Sequence, residues 1–298
     1  MKTGFRFTKR NLFWVLAFVA IVLLTFGGLM LMRFINYKKA GKLLDEGKYE
    51  QAYDAFKDLN GFLESEEKLA EAKKEMLRNA KAGSRVYFGY YFTGDESDDR
   101  KDDDIAWTVL EVDGDTALLI SEKVIDHYYW VRNYYDLSYD EIPNWKDSLL
   151  RKYLNNTFYT TAFNEEEKQR IVDSEVKIGD EEIGDYFRDK VESVTSEDVC
   201  VDKVYVLSFS EAMKYFPTDE KRKSECTFFA KDQAYHLELH LTYPRNAWEA
   251  DSRSWWLRSV LESEDGVRGM SYVGESGQIK MQMESTRGIR PVIHVSIK

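Results

Sequence analysis

The chain has 298 residues, with 53 acidic against 42 basic side chains and a formal net charge of −11. That balance repels phosphate backbones, so nucleic acid is excluded as a partner. Two cysteines, Cys200 and Cys226, are too few for a disulfide framework and leave open either one bridge or two free thiols.

The first element is an apolar run, Leu12–Met32, with no charge and one strongly polar side chain, Thr25. At about 1.5 Å per helical residue it spans roughly 31 Å, the thickness of a bilayer's hydrocarbon core. The apolar stretch of a cleaved signal peptide is shorter, about 7–15 residues, so the run reads as an uncleaved anchor that meets membrane lipid through residues 12–35. Lys2, Arg6, Lys9 and Arg10 precede it, and Arg33, Lys38, Lys39 and Lys42 follow it. The positive-inside count is therefore a tie. Moving the cationic tail across the membrane is the costlier option. The expected topology is single-pass in the cell membrane, with the N-terminus cytoplasmic and the C-terminal part extracytoplasmic. Residues 1–36 form the tail and anchor.

Residues 37–83 read as a helical stalk. Ala40, Leu43 and Leu44 share one face, and Tyr49, Ala52, Phe56 and Leu59 recur at helical spacing after a turn at Gly47. A third run passes through Leu69, Ala72 and Met76. The stretch from Glu46 to Phe56 resembles the middle of a tetratricopeptide repeat, with Gly47, Tyr49, Ala52 and Phe56 at matching spacing. One repeat is too little for a solenoid, which favours a spacer over a peptide-binding array.

From Ser84 onward the texture changes to β-branched and aromatic runs: 85–92, 105–112, 116–121, 204–207, 255–259, 267–273, 279–283 and 289–297. Asp113-Gly114-Asp115 is a hairpin signal. Helices are expected after the Asn144 cap and after the Ser208–Glu211 capping box. Residues 84–298 carry 27 basic and 43 acidic side chains, a net of −16. The fold class expected is α+β, a mainly antiparallel sheet with flanking helices, preceded by a transmembrane helix and a short α-helical stalk.

Several segments of this region resemble an uncharacterised domain family of Gram-positive bacteria, mostly Firmicutes. They are Ile105–Leu110 with Ala117–Ser121, Trp145–Asn155 leading to Phe158 and Phe163, Leu207–Ala212, Trp255-Trp-Leu-Arg-Ser259 and Gly288-Ile-Arg-Pro-Val292. The C-terminal order Val267-Arg-Gly-Met-Ser271, Gly274 to Gly277 and Gly288-Ile-Arg290 is also similar to the sheet of C-type-lectin-like and formylglycine-generating enzymes. That second resemblance implies that the strand near Val86–Tyr91 pairs with the last strand near Val292–Ile297. It carries over no oxidase chemistry, because no cysteine follows Cys226.

The ligand-site candidates are Trp255, Trp256, Arg258 and Arg290. A tryptophan can stack on a sugar or peptide while an arginine fixes a carboxylate; the alternative is a core tryptophan with a paired structural arginine. His236 and His240 stand at i and i+4, but Glu238 is misplaced for a zincin and no third ligand is evident, so they are weak metal candidates. The acidic run Asp95–Asp104 lacks EF-hand spacing and reads as a solvated loop. Asn155-Asn156-Thr157 fits a glycosylation sequon. Walker, dinucleotide and nucleophile-elbow motifs are absent from the sequence. The expectation is a non-catalytic, surface-displayed binding domain without cofactor, its ligand an extracytoplasmic protein or carbohydrate. A membrane-anchored enzyme, or a scaffold docking another membrane protein through its stalk, are the alternatives.

Overall fold

The computed structural model describes residues 9–92, 102–131, 142–179, 183, 186–187, 191–194, 198–239, 253–282 and 286–298. They fall into two compact units, residues 1–76 and 77–298.

In the first unit the apolar run and the first stalk segment are one continuous helix, α1 (Lys9–Asp45). Thr25, the polar residue of the run, folds its hydroxyl back onto the carbonyls of Ile21 and Val22, at 3.0 and 2.9 Å, so it presents no unpaired donor. The helix is long and apolar enough to cross a membrane, and none of its most apolar stretch is buried. Gly47, at φ +72°, makes the turn into α2 (Tyr49–Lys57), and α3 (Ser65–Arg78) follows. Ala40, Leu44, Ala52, Tyr53, Phe56, Leu59, Ala72 and Met76 are buried. These are largely the positions that helical spacing marks as apolar.

The second unit is α+β. Its N-terminal part is β1 (Arg85–Phe92), β2 (Asp102–Asp113), β3 (Thr116–Ser121) and β4 (Asp126–Tyr129). Asn144 caps a 3₁₀ turn at Trp145–Asp147, and Ser148 caps α4 (Leu149–Tyr153). A π turn at Leu154–Phe158 leads into α5 (Tyr159–Ala162) and α6 (Glu165–Arg170). Four short strands come next: β5 (Ile171–Val172), β6 (Ser174–Lys177), β7 (Val191–Ser193) and β8 (Val199–Asp202). Three helices follow, α7 (Phe209–Tyr215), α8 (Asp219–Arg222) and α9 (Phe228–Leu239). The chain then returns to strands: β9 (Trp255–Ser263), β10 (Arg268–Val273), β11 (Ile279–Gln282), β12 (Thr286–Ile289) and β13 (Val292–Ser296).

Among the described residues, one sheet runs β1-β2-β3-β13-β5 and a second β11-β10-β9-β12-β4, with β7 also on β9; β6 and β8 form a separate pair. Pairing is antiparallel except for the short β12–β9 contact. Trp107, Trp130, Trp145, Trp255 and Trp256 are fully buried in the core.

Three expectations are corrected. β1 does not pair with the last strand: the β2–β3 hairpin, closed at Gly114, lies between them, so β1 bonds β2 while β13 bonds β3 and β5. The run 289–297 is two strands, because Pro291 has no amide to donate and the chain crosses between sheets at Arg290-Pro291. Val204–Leu207 is no strand; it touches β13 through a single bridge, Tyr205 to Val292.

Gly288 sits where β12 passes close against Ser254 and Val124. A Cβ there would lie 2.5 Å from the Ser254 carbonyl and 2.4 Å from Val124 Cγ1. Only glycine lets β12 approach that closely.

Candidate functional site

The side chains singled out by sequence serve as fasteners. Trp255 and Trp256 are wholly buried, and their indole N–H groups donate to the carbonyls of Arg222 (3.2 Å) and Tyr128 (3.1 Å). Arg258 is 7% exposed and grips the Glu211 carboxylate with both terminal nitrogens, while donating to the carbonyls of Val206 (3.0 Å) and Lys177 (3.2 Å). Glu211 is the third residue of the α7 capping box. Burial alone would raise its pKa, but Arg258 and the Ser208 amide outweigh burial and hold it below the usual carboxylate value.

Arg290 is sandwiched between Trp255 and Phe216, 5.0 and 5.3 Å from the ring centroids, and donates twice to the Ser121 carbonyl. Its burial lowers its pKa to about 10. All four candidates are therefore engaged in joining elements of the fold to one another. Asn155 of the sequon is similarly engaged: its amide donates to the carbonyls of Arg151 and Val204, and its oxygen accepts from the Lys203 amide.

His236 is exposed beside Asp232, 3.4 Å away. His240 and Asp95–Lys101 of the acidic run lie outside the described residues. Among the described residues, no three His, Cys, Asp or Glu side chains converge to hold a metal. Cys200 and Cys226 are free thiols, and burial pushes the Cys200 pKa up, away from the reactive thiolate.

Two clefts stand open among the described residues: one of about 630 Å³ lined by Glu192, Ser193, Glu262, Glu264 and Arg268, and one of about 390 Å³ on the outward face of the five-stranded sheet, the one that holds an imidazole. Register builds it. Glu111 stands opposite Leu118, Leu118 opposite His294, and His294 opposite Val172, so the four form one row across β2, β3, β13 and β5. A bulge between Val109 and Glu111 is what places Glu111 there. Without the extra residue, strand alternation would turn its side chain to the core face. Asp113 and Thr116 form the next row outward, and Asp173, Ser174, Glu175 and Tyr215 complete the walls.

The charges of the cleft are unevenly matched. Glu111 accepts from Lys214 (2.9 Å) and from the Tyr215 hydroxyl (2.8 Å), and both donors hold its pKa down. Asp173 pairs with Lys203 at 2.8 Å. Asp113 and Glu175 have no ion pair among the described residues. At the floor, His294 Nδ1 is 2.7 Å from Ser174 Oγ and 3.5 Å from the Tyr205 hydroxyl. Its Nε2 has no hydrogen-bond partner among the described residues. Burial holds its pKa below the ordinary imidazole value, against the pull of Glu211 and Glu111, so the ring is neutral near pH 7.

Such a cavity suits a hydrogen-bonding cation: excess carboxylate charge at the mouth, a phenol on the wall and a neutral imidazole acceptor inside. The Ser174–His294 contact has the members of a hydrolytic dyad, but Ser174 is 5% exposed and no acid orients Nε2 among the described residues. Sequence reading missed this site because its parts come from five separate segments. The one available signal was His294 standing on the opposite strand face from Ile293 and Val295.

A second polar cluster, at Asp126, is closed. Its carboxylate is buried and accepts from the hydroxyls of Tyr91 (2.7 Å) and Tyr153 and from the His127 amide (2.7 Å). Burial raises its pKa despite those donors.

No curated protein and no solved structure matches the chain. The family model described as a domain of unknown function, DUF6273, matches residues 114–297. That span takes in β3 through β13 and the cleft residues apart from Glu111 and Asp113. More than half of the length is matched, and the chain belongs to the DUF6273 family.

Proposed function

We propose that this chain is a single-pass membrane protein that holds a non-catalytic binding domain outside the cell. The ligand on this reading is a cationic group, the ammonium or guanidinium of a protein partner, received in the cleft around His294. The observation that carries the binding reading is that cleft, with Asp113 and Glu175 unpaired at its mouth. The anchor reading is supported by the exposed apolar helix and by the charge contrast between residues 1–42, all basic, and the acidic domain. A carbohydrate ligand loses its main support, because Trp255 and Trp256 offer no exposed ring face.

Two measurements test the reading. Protease shaving of intact cells is expected to release the region after Gly83; full protection would overturn the topology. A labelled oligolysine peptide is expected to bind the purified full chain saturably, and Asp113→Asn with Glu175→Gln to abolish that binding. Glu264→Gln with Asp265→Asn, a matched charge change elsewhere, is expected to leave binding intact; equal loss in both pairs would reduce it to bulk charge attraction. The Ser174–His294 contact favours a second reading, a membrane-anchored hydrolase. Labelling of Ser174 by a fluorophosphonate probe would favour it over the first.

A further inference from the structure

Among the described residues, two other than glycine have left-handed backbone, Asn60 at φ 45° and Leu63 at φ 54°, and both lie in the turn between α2 and α3. Asparagine tolerates that conformation, whereas a bulky leucine there is strained. Strain of this kind persists where something holds it, and burial within the chain does not, because Leu63 is 52% exposed. Turns in water favour Gly, Asn, Asp and Ser, yet this one reads Leu59-Asn-Gly-Phe-Leu-Glu64.

The turn is clamped to a fixed height on α1. The Arg33 guanidinium lies 4.8 Å over the Phe62 ring and donates to the Leu59 carbonyl. One helical turn further on, the Tyr37 hydroxyl donates to Glu64 at 2.9 Å. Arg33 is the first cation after the apolar run, and Tyr37 is only about 6 Å along the axis from it. Phe34 and Ile35, each 45% exposed, carry the apolar surface past Arg33 into that same stretch. The headgroup layer of each leaflet is about 5–7 Å deep.

We propose that the turn Leu59–Glu64 seats in the headgroup layer of the membrane that α1 crosses, with Leu63 and the edge of Phe62 dipping toward the acyl boundary. Arg33 and Tyr37 are the interfacial pair that such a layer favours: the guanidinium extends toward headgroups along an apolar stem, and the phenol sits at headgroup depth. Leu63 then finds apolar surroundings outside the chain. The first unit is thereby fixed to the bilayer at two points, the helix and the turn, which restricts its tilt. The inference rests on the reading of α1 as a membrane anchor.

The test uses the full chain in lipid vesicles, with Cys200→Ala and Cys226→Ala to clear the native thiols. A fluorophore is attached at one introduced cysteine at a time, Leu23→Cys, Leu63→Cys or Glu71→Cys, and quenched by nitroxide lipids of graded depth. Deep quenching at position 23 and shallow quenching at 63, several-fold above a residual level at 71, is the expected result. Quenching at 23 with position 63 as dry of lipid as 71 would overturn the seated turn and leave the anchor standing. Absence of quenching at 23 would overturn the anchor, and the seated turn with it.

Discussion

Arg258 and His294 both interact with Tyr205, yet the structure uses them in opposite ways. The Arg258 guanidinium, 5.7 Å over the Tyr205 ring, meets Glu211 and two backbone carbonyls. His294, hydrogen-bonded to Ser174 beside that ring, keeps one nitrogen without a partner and lines a cleft. A residue conspicuous in sequence, such as the arginine of Trp-Trp-Leu-Arg-Ser, is here committed to holding the fold. Within the cleft, the residues with unused hydrogen-bonding or charge capacity are the inconspicuous ones on β2, β6 and β13.

The sharpest way to break that contrast is at Arg258. Arg258→Met leaves the half-buried Glu211 carboxylate with the Ser208 amide as its remaining donor and is expected to cost about 3 kcal/mol, the low end for half of a buried pair. Urea unfolding of the detergent-solubilised chain, followed by tryptophan fluorescence, measures it. Adding Glu211→Gln removes the stranded charge, so the double variant is expected to lose less than the two single losses combined. Additive losses would show that the pair is not coupled.

Asp126 extends the comparison to a buried acid with no cation beside it among the described residues. Asp126→Leu leaves two phenol hydroxyls and an amide without their acceptor and is expected to cost about 2 kcal/mol. Asp126→Asn keeps an acceptor and should cost markedly less at pH 7. Burial raises the Asp126 pKa, so the folded state binds its proton more tightly than the unfolded chain does. The contribution of this group to stability is therefore greatest in acid and declines as pH rises from the ordinary carboxylate pKa through the raised folded one. Asp126→Asn should flatten that part of the pH–stability curve; an unchanged slope would locate it elsewhere.

The smallest expected effect is on the cleft side. The His294 pKa is depressed, so the unfolded chain takes up the imidazole proton first as pH falls. The stability this group supports is full above about pH 6.5 and is lost as pH drops through the window just below it. His294→Gln should remove that slope and change stability at pH 7.5 less than either core variant. A loss as large as that of Arg258→Met would make His294 another fastener.

How much of this was legible in the sequence depended on whether the signal was local. Helical spacing from Ala40 to Met76, the Gly47 turn, the Asp113-Gly114 hairpin and the Ser208–Glu211 capping box each depend on near neighbours, and each stands where the pattern placed it. The short strands β4 to β8 carry too few residues for a period-two pattern to register. The break at Arg290-Pro291 required knowing that two sheets meet there. The cleft depended on a bulge at Leu110 and on contacts across 120 residues and more, such as Ser174 with His294 and Leu118 with His294. Composition cannot reveal those.

The most direct measurement is the pH dependence of oligolysine binding to the full chain, wild type against His294→Gln, between pH 5 and 7.5 at fixed ionic strength. Protonating His294 places a positive charge on the floor of the cleft and removes its acceptor, while Asp113 and Glu175 remain ionised. Wild-type affinity should therefore hold down to about pH 6.5 and fall below it, as pH drops through the depressed imidazole pKa, and the variant should bind with a flat profile. The same fall in both proteins, or no saturable binding in either, would contradict a cation site at His294.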